Sequence, residues 1–132
     1  MNRFAESLHN PTWGYRLLAW PLSILMLLHG VSKLRNGVSG IEGMLGGLGL
    51  PGVLAYGVFV GEVLAPLLVL AGFYAGPAAL VMAVNMLFAI GLAHRTQLLD
   101  INAKTGGHAL ELQLLFLFGS LAIALLAPRR RR

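Results

Sequence analysis

Apolar residues run through the chain in four long blocks, residues 13–33, 53–74, 77–93 and 109–128, separated by polar or glycine-rich breaks. Each block is near or above the roughly 20 residues a helix needs to cross a bilayer. The pattern predicts an all-α membrane protein, a four-transmembrane-helix bundle with helices at about 13–34, 53–74, 77–94 and 108–127. These blocks use most of the chain, so residues 1–132 read as a single integral membrane domain.

The breaks add detail. Residues 1–11 are polar and are expected to fray. Asn10 or Thr12 can cap an opening turn before Trp13. Trp13, Tyr15 and Trp20 suit the headgroup region, where a ring keeps one wet edge. Pro21 is expected to kink the first helix by freeing the carbonyl of Leu17. The longest break, residues 35–51, is glycine-rich, yet Ile41, Met44, Leu45 and Leu48 recur in it at helical spacing. A short interfacial helix or re-entrant segment folding back over the bundle is expected there. The G-x-x-x-x-G-K spacing of a phosphate loop is absent. In the second block Gly57, Gly61 and Ala65 form a small-residue stripe for close helix packing. The uncharged break around residues 75–77 is so short that the second and third helices must form a tight antiparallel hairpin.

Composition sharpens this picture. The chain is 57% hydrophobic and 11% charged, with a mean hydropathy of +0.75; a soluble domain carries about 25% charged residues. There is no cysteine, which excludes disulfides, thiolate metal sites and cysteine nucleophiles. The first block lacks a small-residue cleavage site and ends in His29, Lys33 and Arg35, so it reads as a retained helix. The net charge of +5 owes much to Arg129, Arg130, Arg131 and Arg132. Directly after a membrane helix, these four are read as a membrane-surface anchor and not as a nucleic-acid patch. Four crossings place Arg3, Arg16 and residues 129–132 on one side, and Lys33, Arg35, Arg95 and Lys104 on the other. The richer side is then cytoplasmic, with both termini on it.

The candidate chemistry centres on Glu62, alone in an apolar run. A carboxyl at mid-membrane costs about 3 kcal/mol on insertion scales, which makes it a functional-site hypothesis. Pro66 has no N–H, so the Glu62 carbonyl also loses its helical partner. Both groups need donors from other helices. Measured from the side of the first and third loops at 1.5 Å per residue, His29 sits ~6 Å, Glu62 ~15 Å and Asn85 ~13 Å deep. His94 and His108 fall at the rim, and Glu111 and Gln113 open the fourth helix. Every embedded polar group therefore belongs to the loop-side half, which predicts a one-sided polar cavity with an apolar floor. His29, Asn85 and Gln113 can donate to Glu62. The candidate ligand-binding set is His29, Lys33, Glu62, Asn85, His94, His108 and Glu111; none is assigned a catalytic role. Each has a structural alternative: Glu62 and Asn85 as interhelical glue, Lys33 and Arg95 as snorkelling cations, His94 and His108 as solvated rim residues. These histidines and carboxylates include no H-x-x-x-H or E-x-x-H pair, so a haem or metal cofactor is not expected. The methionines Met26, Met44, Met82 and Met86 read as core filler.

The run LLHGVSKL, residues 27–34, resembles the HG-x-x-K signature that closes the first helix of the DoxX family. Residues 47–73, with their glycine-proline entry and mid-helix carboxylate, are similar to that family's second segment. The Ala-His end of the third helix and GGHALELQLLFLF, residues 106–118, match as well. The tail departs from it, ending in Ala127-Pro128 and four arginines in place of a glycine-rich turn and a Ser-Leu-Asp-like end. The resemblance implies a four-helix protein of a bacterial-type inner membrane. The family includes small subunits of thiosulfate:quinone oxidoreductase, and the matching positions are His29, Lys33, Glu62, His94 and Glu111. The leading expectation is a membrane subunit of a redox system, taking a quinone or another small amphipathic molecule in the cavity. Glu62 with His29 would handle a proton, Lys33 would favour an anionic group at the mouth, and a soluble or membrane oxidoreductase would be the partner. A non-catalytic assembly subunit and a small-solute carrier remain as alternatives, and a homo-oligomer stays open.

Overall fold

The computed structural model describes residues 2–93 and 99–129. Among them every extended element is helical; the strand-like pairing is an isolated bridge between Ile101 and His108.

The polar lead contains a helical turn of its own. Residues Arg3–Leu8 form a short helix, α1, capped by the Asn2 side chain, which accepts from the Phe4 N–H at 3.3 Å. The Ser7 hydroxyl donates to the Phe4 carbonyl at 2.8 Å. The first long helix, α2, spans Pro11–Asn36. Asn10 caps it by accepting from the Trp13 N–H at 3.1 Å, and Pro11 supplies a first-turn φ that suits a helix. Pro21 lies inside α2, and the helix continues through it. Ala19, Ser23, Met26 and Gly30 recur at spacings of four, three and four and form its buried face. Gly37, at φ 82°, ends it.

Residues Ser39–Gly47 form α3, the expected short helix of the first loop. Val38 and Leu45 are buried with Ala55 in a small apolar cluster, against which Ile41, Phe59 and Leu92 also pack. α3 thus covers the loop end of the bundle.

The second apolar segment, Gly52–Ala71, is not the single uniform helix expected over 53–74. It opens as a 3-10 helix over Gly52–Gly57, widens to a π-helix over Val60–Leu64, and settles into α4 over Ala65–Ala71. Pro66 provides the physical reason. With no N–H to offer the preceding turn, it favours a wider register there, and the Ala65 N–H bonds to the Val60 carbonyl five residues back. Gly72 in the left-handed region (φ 71°, ψ 23°) closes α4. A short turn leads directly into α5, Ala75–Ala93, which carries no charged residue. The tight hairpin expected between these two segments is present.

α6 spans Glu111–Leu126 and packs on α5 and α2. It starts three residues later than expected because His108 and Leu110 are held in a turn, the His108 Nδ1 accepting from the Leu110 N–H at 3.0 Å. Among the described residues three helices, Pro11–Asn36, Gly52–Ala71 and Ala75–Leu92, are long and apolar enough to cross a membrane. α6, at 16 residues, is about 24 Å long, short of the ~30 Å hydrocarbon core.

The core draws on α2, α4, α5 and α6: Ala19, Met26, Ala65, Val69, Ala79, Met82, Phe116 and Ile123 are all buried in it. Its many alanines let backbones approach closely. Large apolar side chains face outward instead, among them Leu28, Leu115, Phe118 and Leu125. Such an apolar exterior suits lipid. Ser23 and Ser120 are fully buried, and neither hydroxyl has a hydrogen-bond partner among the described residues. Both act as small residues. Ser23→Ala and Ser120→Ala are expected to leave stability unchanged or raise it by about 1 kcal/mol, since each removes an unsatisfied buried group. Denaturation of the purified variants checks this, and a loss of similar size would reveal a partner for the hydroxyl.

Candidate functional site

The loop-side end of α2 and the π-helix are held together by Gly30. A Cβ at this position would overlap the Glu62 carbonyl oxygen and lie 2.7 Å from a Val63 methyl. The carbonyl that Pro66 deprives of its usual partner therefore lies against the α2 backbone. One turn further along α2, the Lys33 ammonium donates to both Glu62 carboxylate oxygens at 2.7 Å. From α5 the Asn85 amide donates to Oε1 at 3.1 Å. Gly61 makes room for that amide, because a Cβ there would come within 2.6 Å of Asn85 Cγ. Glu62 is 2% exposed and Lys33 is 31% exposed. A buried carboxylate is thus held by donors from two neighbouring helices, each brought close by a glycine.

Of the three donors expected for Glu62, Asn85 is in place. His29 makes no hydrogen bond among the described residues; its ring stands edge-on to Phe116 with centroids 5.6 Å apart. Lys33 takes the position His29 was expected to fill. Lys33 is not the last residue of its helix: α2 runs on to Asn36.

Beside the network lies a cavity of about 570 Å³. Met26, Val84, Phe88, Leu112 and Phe116 contribute apolar wall, and Ile41, Met44 and Leu45 of α3 line it too. Its polar groups are His29, Lys33, Glu62, Asn85 and Gln113. Gly57 also lines it, and a Cβ there would meet open space. The small-residue stripe therefore divides its work: Gly61 admits Asn85, Ala65 packs in the core, and Gly57 borders the void.

The other candidates lie elsewhere. His108 and Glu111 are not on the cavity wall. The carboxylate of Glu111 folds back over Gly107, ahead of its own helix. His94 and Arg95 lie outside the described residues, as do Arg130, Arg131 and Arg132; Arg129 is exposed. Among the described residues no group of three or more histidines and carboxylates is placed to hold a metal ion. The role sequence reasoning missed was that of Lys33. The signal for it was present: Gly30 and Lys33 are spaced i, i+3, so a glycine contact with the second segment places the lysine beside it.

The DoxX family model matches residues 16–95. The chain belongs to the DoxX family. The match spans α2 through α5 and contains His29, Lys33, Glu62 and Asn85, whereas α6 lies beyond it. No curated protein and no solved structure matches the chain. As a DoxX-family protein with three apolar helices of spanning length, it is a multi-pass membrane protein associated with the lipid bilayer.

Proposed function

We propose that this DoxX-family protein is a membrane subunit of a redox system, binding a quinone or another small amphipathic molecule in the cavity beside Glu62. α6 would be a short fourth crossing, in a bacterial-type inner membrane with both termini cytoplasmic. The observation that supports this is a largely apolar space of about 570 Å³ bordered by a buried, hydrogen-bonded carboxylate. Small-molecule sites commonly measure about 300–1,000 Å³, with mostly apolar walls and a few placed polar groups. His29 borders the space, its ring nitrogens have no partner among the described residues, and it can donate to a ligand carbonyl. Glu62 and His29 would exchange a proton with the ligand. Electrons would pass between the ligand and a partner oxidoreductase.

Organic extraction of the purified protein tests the reading. Wild type is expected to release a bound quinone or similar lipid-soluble molecule, and Gly57→Phe, which fills the void, to release at least about tenfold less while folding normally. Wild-type protein that binds none of these under saturating addition would end the proposal.

A second reading has its own support. Lys33 and Asn85 already satisfy Glu62, as expected of a non-catalytic assembly subunit whose polar core fixes helix register. Glu62→Gln separates the two. The redox reading expects normal accumulation with quinone-linked turnover abolished. The assembly reading expects Gln to be harmless and Glu62→Leu to lower accumulation only slightly, since the partly exposed Lys33 left behind can turn toward water.

A further inference from the structure

The opposite end of α2 carries a second feature, apart from the Glu62 cavity. The Arg16 guanidinium lies over two indoles, its central carbon 5.2 Å from the Trp13 ring centroid and 5.6 Å from that of Trp20. Both rings remain about half exposed, at 52% and 42%. Arg16 borders a groove of about 510 Å³ that runs from the start of α2 to the end of α6, where Arg129 forms another edge. Thr12 and Tyr15 add hydroxyls, and Leu70 and Leu126 add apolar surface. Among the described residues no carboxylate pairs with either arginine; the ion pair present there is Lys33–Glu62, at the far end of α2.

These groups match one ligand chemistry. Stacking on indoles fixes the plane of a guanidinium and leaves N–H edges to bind a phosphate. Paired tryptophans set that guanidinium at headgroup depth, and leucines in the same groove suit an acyl chain. We propose that this groove binds one anionic phospholipid, its phosphate on Arg16 and Arg129 and a chain along Leu70 and Leu126.

Trp13 and Trp20 are the chain's only tryptophans; Trp20 lines the groove and Trp13 stacks on its Arg16, so intrinsic fluorescence reports on this end of the protein. The test uses full-length protein in phosphatidylcholine nanodiscs, titrated with acyl-brominated phosphatidylglycerol or acyl-brominated phosphatidylcholine. Wild type is expected to be half-quenched at about fivefold less phosphatidylglycerol than phosphatidylcholine, on the scale of one basic group's attraction to an anionic headgroup. Arg16→Gln and, separately, Arg129→Gln are expected to remove most of that preference. Substituting Arg130, Arg131 and Arg132 together by Gln is expected to preserve it. Arg129 is exposed, so its variant carries the test if Arg16→Gln does not fold. Equal quenching of wild type by both lipids overturns the proposal. So does a preference lost only in the triple variant, which would make it diffuse tail attraction. Reversal of the phosphatidylglycerol quenching by excess inorganic phosphate would assign the groove to a soluble anion and overturn it as well.

Discussion

Lys33→Met is expected to destabilise the folded protein by about 3–5 kcal/mol, the range for removing one partner of a buried ion pair. The size follows from the asymmetry of the pair. Glu62 is 2% exposed, and among the described residues its one cationic partner is Lys33, which bonds both carboxylate oxygens. Without that ammonium, the amide hydrogen bond from Asn85 is what remains among the described residues to hold a charge in an apolar bundle. The reverse change, Glu62→Leu, is expected to be milder, about 1–2 kcal/mol, because the partly exposed lysine can carry its charge toward water. Lys33→Met combined with Glu62→Leu removes both charges and is expected to recover most of the loss. Denaturation of the four proteins in detergent, read by circular dichroism, gives the coupling directly. Additive effects would show that the pair contributes nothing as a pair. The double variant also bears on function, since a folded protein that retained full ligand binding and turnover would reduce the network to a staple between helices.

Much of the architecture was legible in the sequence because a bilayer imposes a length on every apolar run. Three of the four predicted helices are long enough to span, and α3 was visible in the spacing of Ile41, Met44 and Leu45. The exceptions arise where short-range hydrogen bonds override hydropathy. Asn2 and Ser7 organise α1 in a stretch whose composition suggests fraying. His108 holds back the start of α6 by accepting the Leu110 N–H on its side chain, although the apolar block begins earlier. Pro66 marked a local defect at Glu62, but not that the segment would absorb it by changing helical register twice.

The candidate site was legible as a set of depths and illegible as a set of pairs. Placing His29, Glu62 and Asn85 in one half of the bundle needed only the rise per residue. Choosing which side chain meets the carboxylate needs helix rotation, and rotation is fixed by glycine contacts that leave no mark in a hydropathy profile. Gly30 turns Lys33 onto Glu62 and leaves His29 to the cavity and Phe116.

That dependence makes Gly30→Ala the most informative small change. Gly43 and Gly46 lie in α3 with open space where a Cβ would go, so alanine at either is expected to stabilise by about 0.5–1 kcal/mol through reduced chain entropy. The new methyl at Gly30 would instead meet the Glu62 carbonyl, and a backbone group cannot rotate aside as a side chain can. α2 must therefore move away from the π-helix. Overpacking of this kind costs about 1–3 kcal/mol. Here the displacement also pulls Lys33 off Glu62, so Gly30→Ala is expected at the top of that range and Gly30→Val beyond it. If the geometry is right, the two losses are one event: Gly30→Ala in a Lys33→Met, Glu62→Leu background should cost less than it does in wild type. Equal costs in both backgrounds would mean that Gly30 only packs helices and has no part in positioning the lysine.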